Sequence, residues 1–257
     1  MIEISNVSKS YDGGSTFAVD DISLEIRAGE IFGLLGHNGA GKSTLLNMIV
    51  GVLALTKGSI SIDGNNLSEN FLETKRRMSF VGDSPDHLLR LKGHEFLRFI
   101  GDLYEVPTDI RAERIATLAK TYGMEQELDN QIQSYSHGMR QKIMVMGALL
   151  PNPDNWILDE PMTGLDPSAA WQLKQTMREH ADAGKTVLFS THVLDVAERV
   201  VDRVGIISHG KLLFVGTIEE MREHFKRNES LEEMFLELTS ETSPLDTTQS
   251  QASEEVR

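Results

Sequence analysis

The chain has 257 residues, 40% of them hydrophobic, enough for one large domain or for a core carrying a smaller subdomain. A formal net charge of −14 speaks against non-specific nucleic-acid binding as its main task, so no nucleic acid is expected as a partner, and the lack of cysteine excludes disulfides and suits a reducing compartment. No apolar run approaches the length of a membrane span, and the start MIEISNVSKSY lacks the charged head and apolar centre of a secretion signal, so a soluble cytoplasmic protein is expected, reaching a membrane only through a partner.

Residues 2–11 and 17–26 read as strands around Asp12-Gly13-Gly14-Ser15, a hairpin signal. A short apolar run at 31–35 predicts a buried strand, followed by GHNGAGKST (36–44) and a helix over 43–52. Strands follow at 59–62, closed by a turn at Asp63-Gly64, and at 78–82. The stretch from about 93 to 150 is mostly helical by pattern. There Phe96, Phe99, Ile100 and Leu103 share one helical face, Ile110, Ile115, Leu118 and Ala119 continue the theme, and 143–150 is an almost wholly apolar helix. Short apolar strands at 156–158, 187–190 and 204–208 alternate with helices, and 206–215 reads as a hairpin turning at His209-Gly210. Residues 231–239 read as an amphipathic helix, and from Ser240 onward large apolar residues nearly vanish, which predicts a disordered acidic tail over 240–257. Strands alternating with helices imply an α/β fold built on a mainly parallel sheet. An antiparallel β subdomain stands at the front and an α-helical subdomain, about 84–150, is inserted within a domain spanning 1–239.

The 36–44 stretch fits G-x-x-x-x-G-K-[ST], the phosphate-binding loop of nucleotide hydrolases, in the strand–loop–helix setting that the chemistry needs. Gly36, Gly39 and Gly41 let the backbone curl so that the N–H groups of the loop, which includes Asn38, Ala40 and Thr44, point at phosphate oxygens. The helix N-terminus adds partial positive charge at the same point. Lys42 can reach terminal phosphates, and the Ser43 hydroxyl can ligand Mg2+. NWILDE (155–160) is an apolar strand ending in adjacent carboxylates at the edge of a parallel sheet where ligands bind. Asp159 is placed to hold Mg2+ and Glu160 to orient or deprotonate an attacking water.

With these motifs in this order the chain resembles the ATP-binding subunit of an ABC transporter, over about residues 2–238. GHNGAGKST matches the family's Walker A motif and ILDE its Walker B motif, Tyr135-Ser136-His137-Gly138-Met139 stands where its signature lies, Gly164-Leu165-Asp166 is the D-loop and His192 the switch histidine. The resemblance implies a P-loop NTPase core of the RecA-like kind, hydrolysing ATP with Mg2+ and with Lys42, Glu160 and His192 as its catalytic residues. It implies that Tyr11 stacks on adenine, against the alternative of a hairpin aromatic covering the sheet. It implies a head-to-tail dimer, homodimeric or with a paralogue, in which Ser136 and Gly138 of one subunit meet the γ-phosphate held by the other and Asp166 links the two sites. The residues alone leave Ser136 as a helix cap, Asp166 as a turn residue before Pro167 and His192 as a polar surface residue.

Two positions depart from the family pattern. Asp83 aligns where a glutamine usually touches Mg2+ and water, which makes it a further candidate metal ligand and predicts an altered Mg2+ dependence. His137 and Met139 replace the usual glycine and glutamine of the signature, and a titrating His137 would make dimer closure sensitive to pH. The run Tyr135-Ser136-His137-Gly138-Met139-Arg140-Gln141-Lys142, with the 231–239 helix, is similar to ATPases of ABC-2-type exporters, including bacterial peptide and bacteriocin-resistance systems. The implied partner is an integral membrane subunit docking near 84–104, with Leu88, Leu89 and Phe96 as candidate contacts, which would hold the chain on the cytoplasmic face of the cell membrane. The alternative is a soluble ABC ATPase of translation, cluster assembly or DNA repair; one ATP module and the lack of zinc cysteines weigh against it.

Overall fold

A computed structural model describes residues 1–82, 89–225 and 231–240. In chain order, β1 (Ile2–Lys9) and β2 (Val19–Ile26) form an antiparallel hairpin, followed by β3 (Ile31–Leu35), α1 (Lys42–Ile49), β4 (Lys57–Ile62), β5 (Asn65–Asn66), α2 (Phe71–Arg76) and β6 (Met78–Val81). Three helices come next, α3 (Gly93–Leu103), α4 (Thr108–Tyr122) and α5 (His137–Leu149). The chain then returns to strands with β7 (Asn155–Leu158), α6 (Pro167–Asp182), β8 (Thr186–Thr191), α7 (Leu194–Glu198), β9 (Arg203–Ser208), β10 (Lys211–Gly216), α8 (Ile218–Phe225) and α9 (Leu231–Ser240).

Two sheets result. The larger has the order β10-β9-β3-β8-β7-β6, parallel except for β10, and the smaller has the order β2-β1-β4-β5 and is antiparallel. β3 lies inside the larger sheet and is buried along its whole length, which explains why its sequence is apolar without alternation. Its side chains still divide by face. Ile31 and Leu35 join a core with α3–α7 and α9, while Phe32 and Leu34 join one with α1 and the small sheet. Leu45, Leu46, Met48 and Ile49 of α1 are fully buried there, each contributing about 1.5–3 kcal/mol at most. Among the described residues no helix is long and apolar enough to cross a membrane.

Several boundaries differ from the pattern reading for local reasons. The first strand ends at Lys9 rather than at Tyr11, because the Ser10 and Asp12 side chains take up the N–H groups of residues 12 and 14–16 and so replace ladder bonds. On α3 the buried face is Gly93, Phe96, Leu97 and Gly101, and Phe99 and Leu103 are exposed. Phe96 is only 2% exposed, its ring pressed to Gly147 of α5, so it is not the docking contact expected of it. Leu89 is likewise half-buried against the core. Leu88, Asp83 and residues 241–257 lie outside the described residues. Ser240, expected in the tail, closes α9, whose Leu231, Met234 and Phe235 are buried.

His180, near the end of α6, is buried edge-on to Trp156, with ring centroids 5.6 Å apart. Burial, helped by the nearby Lys185 charge, pushes its pKa down from 6.5 to about 4. Between those values the folded chain keeps His180 neutral while the unfolded chain binds a proton. Its contribution to stability is therefore complete above pH 6.5 and is lost as the pH falls toward 4, by about 2–3 kcal/mol. Urea unfolding across this range should show that slope, and His180→Gln should flatten it; an equal slope in the variant would assign the acid sensitivity elsewhere.

Candidate active site

The loop between β3 and α1 turns on glycines that nothing larger can replace. A β-carbon at Gly36 would stand 2.5 Å from the Ile207 carbonyl oxygen. At Gly41, which precedes α1 with φ of +109°, it would stand 2.5 Å from the Ala18 carbonyl oxygen. The loop and the edge of the sheet enclose a cleft of about 400 Å³ lined by Ala18, His37, Asn38, Gly39, Gly41, Lys42, Ser43, Thr44, Asp159 and Glu160. Gly36 and Ala40 are buried behind it. Lys42 is 5% exposed, and its ammonium donates to the carbonyls of Gly36 (2.7 Å) and His37 (3.2 Å).

β7 runs parallel to β8 with Leu158 beside Phe189, so Asp159 and Glu160 emerge level with the end of β8. Asp159 is 3% exposed and accepts from the Ser190 hydroxyl at 2.5 Å. The same hydroxyl oxygen accepts from the Glu160 backbone N–H at 3.0 Å. Glu160 adopts φ of +47°, which ends the strand and turns its side chain back over the cleft. One carboxylate oxygen, Oε1, lies 3.3 Å from Lys42 Nζ, close enough to pair electrostatically but not aligned as a hydrogen bond. The other, Oε2, lies 3.0 Å from Nδ1 of His192, the first residue after β8. A carboxylate is thus held between an ammonium and an imidazole at the mouth of the cleft.

Of the residues expected from sequence, those of the loop, Asp159, Glu160 and His192 come together here. Tyr11 does not line the cleft: it is 65% exposed on the hairpin loop, with the Lys9 ammonium 5.2 Å from its ring centre. That loop is ordered by Asp12, which accepts from the Thr16 hydroxyl and N–H, the Ser10 hydroxyl and the Ser15 N–H. These bonds, led by the Thr16 hydroxyl, hold its carboxyl well below the usual carboxylate range. Ser136, Gly138 and Asp166 form a separate surface. Ser136 caps α5, accepting from Met139 N–H at 3.3 Å. Asp166 caps α6, accepting from the N–H groups of Ala169 and Ser168 at 3.0 Å. Those bonds, Ala169 foremost, and the Lys142 charge lower its pKa. The sequence does not mark out Ser190; its only signal is a small hydroxyl following the apolar run of β8, beside Thr191 and His192.

For Mg2+, the donors in the cleft are the Ser43 hydroxyl and the Asp159 carboxylate, both hard oxygen ligands. Among the described residues no group of three or more His, Cys, Asp or Glu could hold a metal ion unaided. That sparse donor set fits an ion that also binds substrate phosphates and keeps several waters.

The sequence pattern of the family described as ABC transporter matches residues 19–163. The chain is 35% identical to the ABC-type transporter ATP-binding protein EcsA of Bacillus subtilis (strain 168), over 91% of this chain and 96% of that protein. It is 35% identical to the daunorubicin/doxorubicin resistance ATP-binding protein DrrA of Streptomyces peucetius, over 88% of this chain and 68% of that protein. One relative, an uncharacterized ABC transporter ATP-binding protein of Synechocystis sp., is longer still in proportion, and the chain spans 64% of it. Among solved structures, one described as the ATP-binding subunit of an ABC transporter superposes with a TM-score of 0.88 at 32% identity, over 93% of this chain and 99% of that one.

Ser190→Ala removes the donor from a buried carboxylate and the acceptor of the Glu160 N–H together. It should cost about 1–3 kcal/mol in chemical unfolding, more than a surface serine does; a loss within about 0.5 kcal/mol would mean that water replaces the hydroxyl.

Proposed function

The chain belongs to the ABC transporter family as an ATP-binding subunit with ATPase activity, and we propose that it drives an exporter of peptide, antibiotic or similar cargo from the cytoplasmic face of the membrane. Residues 1–239 form the ATPase unit in this reading, with α3–α5 as its inserted helical subdomain.

ATP binds with its phosphates in the 36–44 loop, where backbone N–H groups meet the β- and γ-oxygens and Lys42 exchanges its bonds to Gly36 and His37 for the terminal phosphates. Ser43 and Asp159 would hold Mg2+, whose charge offsets that on the transferring phosphoryl oxygens. Glu160 orients the attacking water and takes its proton. His192 steadies Glu160 and reaches the γ-phosphate, so hydrolysis is felt at the start of α7. Tyr11 covers the adenine from the loop ordered by Asp12. The single observation that carries this reading is Glu160 suspended between Lys42 and His192 at the mouth of the phosphate loop.

Ser136, Gly138 and Asp166 lie apart from the cleft of their own chain, which supports their use by a second copy or a close paralogue. ATP then joins two subunits head to tail, each supplying the α5 N-terminus to the other's γ-phosphate. For the membrane subunit, the apolar side chains available are Phe99 and Leu103 on α3 and Phe71 and Leu72 on α2, all exposed. The last residue of α2 meets the chain just after α3 through the Arg76–Glu105 ion pair (2.9 Å), and the Tyr104 hydroxyl donates to Met78 O (3.1 Å) at the start of β6. Export is supported by DrrA's association with drug resistance.

Glu160→Gln should still bind ATP but hydrolyse it about 10²–10⁴-fold more slowly, measured as phosphate release at saturating ATP; turnover near wild type would remove Glu160 from the chemistry. The tagged chain, purified from detergent-solubilised membranes, should bring down a polytopic membrane protein in roughly equal amount. Leu72→Asp with Leu103→Asp should lose that partner while ATP binding persists. Recovery of ribosomal or repair proteins and no membrane protein would overturn transport.

A further inference from the structure

The start of α5 lies against the loop that follows Glu160 in the same chain. The exposed His137 ring sits over the α-carbon of Gly164, whose φ of +75° already favours glycine, and a β-carbon there would stand 2.0 Å from His137 Cδ2. Gly138 backs the same contact, its β-carbon position 3.1 Å from the Gly164 carbonyl oxygen. One turn further on, the buried Gln141 amide donates to Pro161 O at 3.3 Å, and Lys142 Nζ is 3.7 Å from Asp166 Oδ2. These four residues recur at helical spacing, so one face of α5 lies along residues 161–166. That loop begins at Glu160, and α5 begins at Ser136.

We propose that His137 is a positioning residue whose ring ties the Ser136 turn to the Glu160 loop, so that engagement of Ser136 on a second subunit's nucleotide sets the placement of Glu160 in its own cleft. The inference rests on the dimeric reading of the site given above. The coupling is steric. The exposed ring is seated directly on a bare α-carbon, so a displacement of the Ser136 turn toward the loop presses on Gly164. Without the ring, Gln141 and Lys142 still hold α5 to the loop and the fold persists, but the first turn of the helix moves independently. His137 itself does not line the cleft of its own chain, so its removal leaves the Lys42 and 36–44 loop contacts there intact.

The test is ATP hydrolysis by the tagged chain together with the subunits that co-purify with it. Glu160→Gln is assayed first. Turnover equal to wild type in that variant overturns the reading of the site, whereas its loss leaves that reading standing and isolates the present inference. His137→Ala should then lower kcat by about tenfold with little change in the KM for ATP. His137→Phe, which restores a ring without imidazole nitrogens, should recover most of the loss. Should His137→Ala not fold, His137→Gln against His137→Phe reads the same contact. An unchanged kcat in His137→Ala, or a His137→Phe no better than His137→Ala, would overturn the proposal.

Discussion

The parallel pairing of β7 with β8 sets Asp159 level with Ser190, and the pairing of β3 with β8 sets the start of the phosphate loop level with His192. Three loops from three strands therefore meet at one edge with their side chains already aimed at a common point. Strand side chains alternate in direction, so a slip of one residue between β7 and β8 would carry Asp159 from the Ser190 hydroxyl to the opposite face. The apolar cores on both faces of the sheet hold that register, because every residue of β7 and β8 is buried. Core stability and catalytic geometry are in this sense one constraint, and the serine at the end of β8 is where they meet.

The legible part of the molecule is the part in which neighbours in sequence are also neighbours in space. The 36–44 loop, the paired carboxylates after β7 and the two hairpins each carry their chemistry within a few residues, and the sequence identifies them with nearly correct limits. What escaped depends on contacts between distant segments. Periodicity put Phe96, Phe99 and Leu103 on one helical stripe, but only the approach of Gly147 decides that Phe96 is covered while the others face solvent. The end of β1 depends on the side chains of Ser10 and Asp12 competing for backbone N–H groups, which strand propensity does not register. The partners of Ser190 and the seat of His137 on Gly164 are tertiary contacts that no local pattern specifies.

A chain of net charge −14 has to attract a polyanionic nucleotide. Long-range attraction is not how it does so, since charges more than about 8 Å apart are largely screened at physiological ionic strength. In the proposed site the work falls to short-range groups: loop N–H donors, the first turn of α1 and the buried Lys42 ammonium. Lys42 already has carbonyl partners and a carboxylate nearby, so its charge is kept in a defined place rather than on a free side chain.

Ser136 illustrates how one atom serves two ends. As the cap of α5 its oxygen receives a hydrogen from Met139 N–H, and this engages only a lone pair. The hydroxyl hydrogen is not consumed and remains free to be given to an anion lying beyond the helix start. Helix cap and phosphate contact, which look like competing explanations of the residue, use opposite faces of the same oxygen. Aspartate would cap the helix equally well and repel the phosphate. Serine at this position is thus a choice that helix stability does not dictate and that the proposed anion contact does.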